Sequence, residues 1–166
     1  AGYAFCCTVL YYCLSYGQNM LLVEAVEGRT STMPARPDDL EQIKYAPEMT
    51  MMLGGVRIPE VTSVKNTVKD GDIFKIGDIE LKAISTPGHT EGGMCYLSND
   101  GKLFSGDTLF MQSVGRTDFM GGDFEKIKHS VCEKLFKLPD NTEVYTGHGP
   151  KTTIGREKKF NEIKNL

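Results

Sequence analysis

Three short segments in the second half of the chain limit what it can fold into. They are Pro87-Gly88-His89-Thr90, Gly106-Asp107-Thr108-Leu109 and Gly147-His148-Gly149-Pro150. Each sets one candidate metal ligand beside a glycine, directly after a run that reads as a β-strand. Imidazole and carboxylate groups at the ends of neighbouring strands can converge on a cation. The sequence contains only three histidines, and two of them lie in these loops. A fold that uses the pattern must bring the three strand ends to one place.

The flanking segments support an α/β architecture. Asp70-Gly71 reads as a turn, Ile73–Ile76 as a strand, Gly77-Asp78 as a hairpin turn, and Ile79–Ile84 as an alternating second strand. Gly93–Leu97 and Lys102–Phe104 follow as short strands around the turn Asn99-Asp100-Gly101. Phe124, Ile127, Val131, Leu135 and Leu138 recur at helical spacing, so the pattern predicts an amphipathic helix over Asp123–Leu138, with Asp123 as N-cap and Pro139 as its stop. Glu143–Thr146 reads as a strand and Gly155–Ile163 as a final helix. Strand pairs followed by single helices imply sheets flanked by helices.

The first part is less patterned. Ala1–Val23 carries no charged residue, but its Gly, Ser, Gln and Asn residues fit neither a signal peptide nor a spanning helix. It reads instead as strands Tyr3–Leu14 and Met20–Val26 joined by a turn over Ser15–Asn19. Glu27–Asp39, with Gly28, Pro34 and Pro37, reads as loop, and Pro37-Asp38-Asp39 as the start of a short helix through Tyr45. The methionines of Met49–Gly55 read as adaptable core filling or as a pocket wall.

With 166 residues the expectation is a single domain over residues 1–166. A net charge of −3 without a Lys/Arg cluster argues against a nucleic-acid partner, and the patterning argues against a membrane partner. Cys6, Cys7, Cys13, Cys95 and Cys132 form no C-x-x-C pair, which suits reduced thiols in a cytoplasmic protein. No G-x-S-x-G elbow, phosphate loop or dinucleotide fingerprint occurs.

For His89 the alternatives are a metal ligand or a ring that bonds a neighbouring carbonyl. Asp107 emerges from the apolar Leu103-Phe104. Because burying a lone charge costs several kcal/mol, its carboxylate needs a cation, an arginine or backbone N–H groups. His148, between two glycines, follows the same logic. His129 falls on the polar helix face and reads as a surface residue, and Cys132 on the same helix needs no chemistry. Arg116 reads either as one half of a salt-bridged loop clamp with Asp118 or as an anion contact for substrate.

Thr86-Pro87-Gly88-His89-Thr90, Phe104-Ser105-Gly106-Asp107-Thr108-Leu109-Phe110, Ser113-Val114-Gly115-Arg116-Thr117-Asp118, Gly121-Gly122-Asp123, and Gly147-His148-Gly149-Pro150 with Thr152-Thr153-Ile154-Gly155 occur in this order between about 69 and 163. Together they resemble the metallo-β-lactamase superfamily, and within it the short glyoxalase-II-like (hydroxyacylglutathione hydrolase-like) hydrolases. The resemblance implies an α/β fold, an αββα sandwich with the metal site at one sheet edge. It also implies a metal-dependent hydrolase of small thioesters, with metal-bound hydroxide as nucleophile and a polarised carbonyl. Zinc is the implied cofactor, as one or two ions, with iron or manganese as alternatives. On that pattern His89 and Asp107 would serve catalysis, His89 would bind the first metal, Asp107 would bridge, His148 would bind the second, and Arg116 would contact substrate.

The chain departs from the family in one respect. No histidine precedes His89, so the four ligands that the family draws from H-x-H-x-D-H are expected to be truncated, replaced or supplied by another chain. The N-terminal half is thus expected to be incomplete or altered. The alternatives are an impaired member holding one metal or none, and a mononuclear iron enzyme like the persulfide dioxygenases. A single ion held by His89, Asp107 and His148 is a further option on the residues alone.

Overall fold

The structure is a computed structural model. It describes residues 68–76, 78–118 and 121–164, together with the backbone of two short strands, β1 (Val23–Val26) and β2 (Arg29–Thr32). Within the remainder lie the expected strand Tyr3–Leu14, the helix start at Pro37, the Met49–Gly55 cluster and Cys6, Cys7 and Cys13, all outside the described residues.

β1 and β2 pair antiparallel with Val26 opposite Arg29. This corrects the expected loop over Glu27–Asp39. Thr30 and Thr32 favour an extended chain, and two residues suffice to turn back from Val26.

The main sheet has six strands in the order β10-β9-β6-β5-β4-β3. They are β3 (Ile73–Ile76), β4 (Ile79–Ser85), β5 (Met94–Ser98), β6 (Lys102–Gly106), β9 (Glu143–Thr146) and β10 (Thr152–Thr153). A small separate hairpin, β7 (Leu109–Phe110) with β8 (Ser113–Val114), stands between β6 and the helices. β3 to β6 form an antiparallel meander, and β6 then pairs parallel with β9. Two antiparallel steps separate β4 from β6, so β4, β6 and β9 all run in one direction. Their C-terminal ends therefore meet at one edge, and His89, Asp107 and His148 each follow one of them.

Period-two alternation divides the side chains between the two sheet faces. Cys95, Leu103 and Val144 face the helices, where they pack with Leu109, Ile127, Val131, Leu135 and Ile154. Leu81, Ala83, Met94, Tyr96 and Phe104 form a second cluster with Val68.

The helical spacing from Phe124 to Leu138 is realised, but not as one α-helix. α1 spans Phe124–His129, a wider π-helical turn follows over Ser130–Lys134, and a 3₁₀ turn over Leu135–Lys137 ends the segment. Two side chains of the wide turn reach the His89 loop: the Ser130 hydroxyl donates to the Pro87 carbonyl at 2.8 Å and the Lys134 ammonium to the Ser85 carbonyl at 2.6 Å. Asp123 is the N-cap and accepts from the Lys126 amide at 3.0 Å. Leu138 is extended, as expected before Pro139. The last helix, α2 (Ile154–Phe160), stops earlier than the pattern predicts. At Asn161 the chain turns extended, and a 3₁₀ turn over Glu162–Lys164 follows.

Candidate metal centre

Glycine backbone brings the three loops close together. Gly88 has φ +138°, and a Cβ there would lie 2.2 Å from the Ile127 backbone nitrogen, so only glycine lets the His89 loop rest against α1. The Asp123 amide donates to the Gly88 carbonyl at 2.8 Å and locks that contact. On the neighbouring strands the Gly147 amide donates to the Gly106 carbonyl at 2.9 Å, which carries the β6–β9 ladder into the loops bearing Asp107 and His148. The Thr86 and Thr108 hydroxyls, both buried, bond each other at 3.1 Å and tie the His89 and Asp107 loops beneath the site.

Asp107 stands between the two imidazoles. His89 Nε2 lies 3.8 Å from Asp107 Oδ2, and His148 Nε2 lies 3.8 Å from Asp107 Oδ1. Both separations exceed a hydrogen bond. His89 Nδ1 is 2.8 Å from the Arg116 carbonyl oxygen. A carbonyl can only accept, so Nδ1 carries the proton and Nε2 is the lone-pair nitrogen of the neutral ring. Two electron-pair donors then face each other, an arrangement suited to a cation between them or to protonation of the ring. Donors about 2.0–2.2 Å from one tetrahedral zinc ion stand about 3.4 Å apart, so either His–Asp pair, at 3.8 Å, would hold one ion after closing by a few tenths of an ångström. The donor set is therefore compatible with divalent metal.

The three side chains do not, however, close on a single point. Among the described residues no group of three His, Cys, Asp or Glu side chains forms a cage for one ion. His89 and His148 address opposite oxygens of one carboxylate, each at 3.8 Å. Burial pushes the Asp107 carboxyl above its ordinary range, while charged His89 and His148 would pull it down.

The side chains of His89 and Asp107 are 17% and 14% exposed, whereas His148 is 69% exposed. The His148 ring leans on Phe110, with centroids 4.4 Å apart. The three residues line a cleft of about 390 Å³ together with Phe110, Met111, Val114, Pro150 and Arg116. Arg116 makes a two-pronged ion pair with Asp118, Nε to Oδ1 at 2.9 Å and the second nitrogen to Oδ2 at 3.1 Å, so the loop clamp exists. It is exposed, as is the pair as a whole. His129 is exposed on α1, away from the cleft lining. Cys95 is buried and its thiol is pushed up to about 11 by desolvation. Among the described residues no helix is long and apolar enough to cross a membrane.

The contribution of the β7–β8 hairpin to the cleft was not predicted from the sequence. The resemblance motif Leu109-Phe110 ends where it begins, and no turn residue marks its tip at Gln112, which takes a left-handed φ of +61°.

Comparison with known proteins agrees with this fold. A family model described as the metallo-beta-lactamase superfamily matches residues 19–148. An uncharacterized protein of Aquifex aeolicus is 43% identical over 110 residues, which is 66% of this chain and 51% of that protein. The Haemophilus influenzae protein named hydroxyacylglutathione hydrolase GloC is 39% identical over 98 residues, 58% of this chain and 46% of that one. A solved structure, TTHA1623 in a di-iron-bound form, superposes with a TM-score of 0.69 at 32% identity, covering 84% of this chain and 67% of that one. The chain spans about half the length of the curated relatives it matches. The matched family, the strand order and the three ligand-type residues at one sheet edge agree: the chain belongs to the metallo-beta-lactamase superfamily, whose members bind divalent metals, and has its fold.

Proposed function

We propose that the chain carries the second half of a thioester hydrolase centre of the glyoxalase-II kind, with His89, Asp107 and His148 as metal ligands. One observation carries the reading: a single half-buried carboxylate presents one oxygen to each of two imidazoles, at 3.8 Å both times. A divalent ion bound there supplies Lewis acidity, which makes water a nucleophile near neutral pH and polarises a carbonyl. The protein's own groups supply placement. The Arg116 carbonyl fixes the His89 tautomer. The Thr86–Thr108 pair fixes the spacing of two ligand loops. The apolar wall of Phe110, Met111 and Val114 suits an acyl group, and Arg116 suits an anionic carrier such as a glutathione carboxylate. The name of the Haemophilus relative supports the acylated-glutathione class. Zinc is the expected metal, and the di-iron form of the solved relative makes iron the alternative. The remaining ligands are expected from outside the described residues or from another chain.

The test is a thioesterase assay on an acylated glutathione with added zinc, run beside elemental analysis of the purified protein. Turnover that depends on metal and is lost in His89→Ala is expected. Equal turnover in that variant removes His89 from the reaction. One iron per chain instead favours a persulfide dioxygenase-like enzyme, and no bound metal with no turnover favours an impaired member.

A further inference from the structure

α2 packs against the cleft wall through a buried acidic side chain that the centre described above does not use. Glu157 is 0% exposed. Its Oε2 accepts from the Gln112 amide at 2.7 Å and from Asn161 Nδ2 at 2.8 Å, and its Oε1 accepts from the Thr152 hydroxyl at 2.5 Å. Gln112 is the left-handed residue at the tip of the β7–β8 hairpin. Asn161 Nδ2 also donates to the hairpin carbonyls of Ser113 at 3.0 Å and Phe110 at 3.4 Å. Two residues one helical turn apart thus hold both ends of the tip. The hairpin presents Phe110 to the His148 ring and Met111 to the cleft.

We propose that Glu157, with Asn161, is a positioning residue that acts through the hairpin and Phe110 to orient the His148 ring. Non-glycine residues at positive φ are held by their surroundings rather than by their own preference. At Gln112 the holding contact is the bond from its amide to Glu157. His148 is mostly exposed, and Thr146 Oγ1 bonds only its backbone carbonyl, at 2.8 Å. Among the contacts described, Phe110 is the packing surface for that ring. Release of the hairpin removes that surface.

The network needs acceptors rather than a charge. A glutamine at 157 can turn its carbonyl to Gln112 and Asn161 and its amide to the Thr152 hydroxyl, which can accept. A leucine fills the space and accepts nothing.

The proposal concerns the same cleft as the hydrolase reading, but its test needs neither metal nor turnover, so either can fail alone. The chain has three histidines, so their imidazole NMR signals are separable and assignable by substitution. Spectra of the metal-free full chain are recorded at a pH well above the ordinary imidazole range. In Glu157→Leu the His148 signals are expected to move as far as they do in Phe110→Ala, while those of His89 and His129 stay. Hydrogen exchange across residues 109–114 is expected to quicken about tenfold or more, with β5 and β6 unchanged. Glu157→Gln is expected to match the parent. If Glu157→Leu does not fold, Asn161→Ala, which removes the donors to Ser113 and Phe110, is read in the same way. Unmoved His148 signals in a folded Leu or Ala variant overturn the proposal, as does a Gln variant that shifts them as far as Leu does.

Discussion

Gly147→Ala tests the spacing around Asp107 with little expected cost to the fold. Gly147 is not among the positive-φ glycines, so alanine can adopt its backbone. A Cβ there would nevertheless lie 2.4 Å from Asp107 Oδ1, where ordinary contact begins near 3.4 Å. The overlap is ~1 Å, far up the repulsive wall of any carbon–oxygen pair. The carboxylate can relieve it by retreating from residue 147. Oδ1 starts 3.8 Å from His148 Nε2. A shift of ~1 Å in Oδ1 can change that spacing by up to ~1 Å, well beyond the roughly ±0.2 Å within which metal–ligand distances hold. Zinc affinity, read by competition with a chromophoric chelator, should fall about 10- to 100-fold, with a melting-temperature loss of only a few degrees. Gly149→Ala is the matched control. It has φ +89° but open space around its Cβ, so it should cost about 1 kcal/mol of stability and leave zinc affinity unchanged. If Gly147→Ala binds zinc as tightly as the parent chain, the spacing argument is wrong.

Gly88→Ala should be the opposite case, a folding defect. A Cβ 2.2 Å from the Ile127 nitrogen and a φ of +138° together cost about 2–6 kcal/mol, readable as a lowered urea midpoint; a loss under about 1 kcal/mol would contradict the packing described. In the metal-free chain, burial holds the Asp107 pKa above its unfolded value. The stability this brings is present below the ordinary carboxylate range and is lost as pH rises through the raised folded pKa. Asp107→Asn should therefore gain stability relative to the parent between about pH 4 and neutrality; melts showing no such gain would refute the burial argument. The Cys95 thiol, pushed up to about 11, should stay unalkylated by iodoacetamide in the folded protein and react after unfolding, as read by peptide mapping.

What the sequence made legible was local. The strands before His89, Asp107 and His148 and the glycines beside them depend on near neighbours, and so does the Asp123 cap. The path of the helical segment was not legible, because the wide turn at Ser130–Lys134 coincides with bonds to the Pro87 and Ser85 carbonyls, more than forty positions away. Nor was the β7–β8 hairpin, whose left-handed tip carries no glycine and is held by Glu157 across 45 positions. The two-sided approach to Asp107 is likewise a matter of strand spacing. β4 is separated from β6 by β5, roughly 10 Å across the sheet. His89 therefore approaches Asp107 from one side while His148, on the adjacent β9, approaches from the other.

The parallel pairing of β6 with β9 also bears on when the centre forms. The meander of β3 to β6 pairs strands that are neighbours in sequence, whereas β9 joins β6 across the whole helical crossover. Contacts so distant along the chain form late. A divalent ion that needs both Asp107 and His148 therefore has its full ligand pair only once β9 has joined β6, and its binding then slows the parting of those two strands.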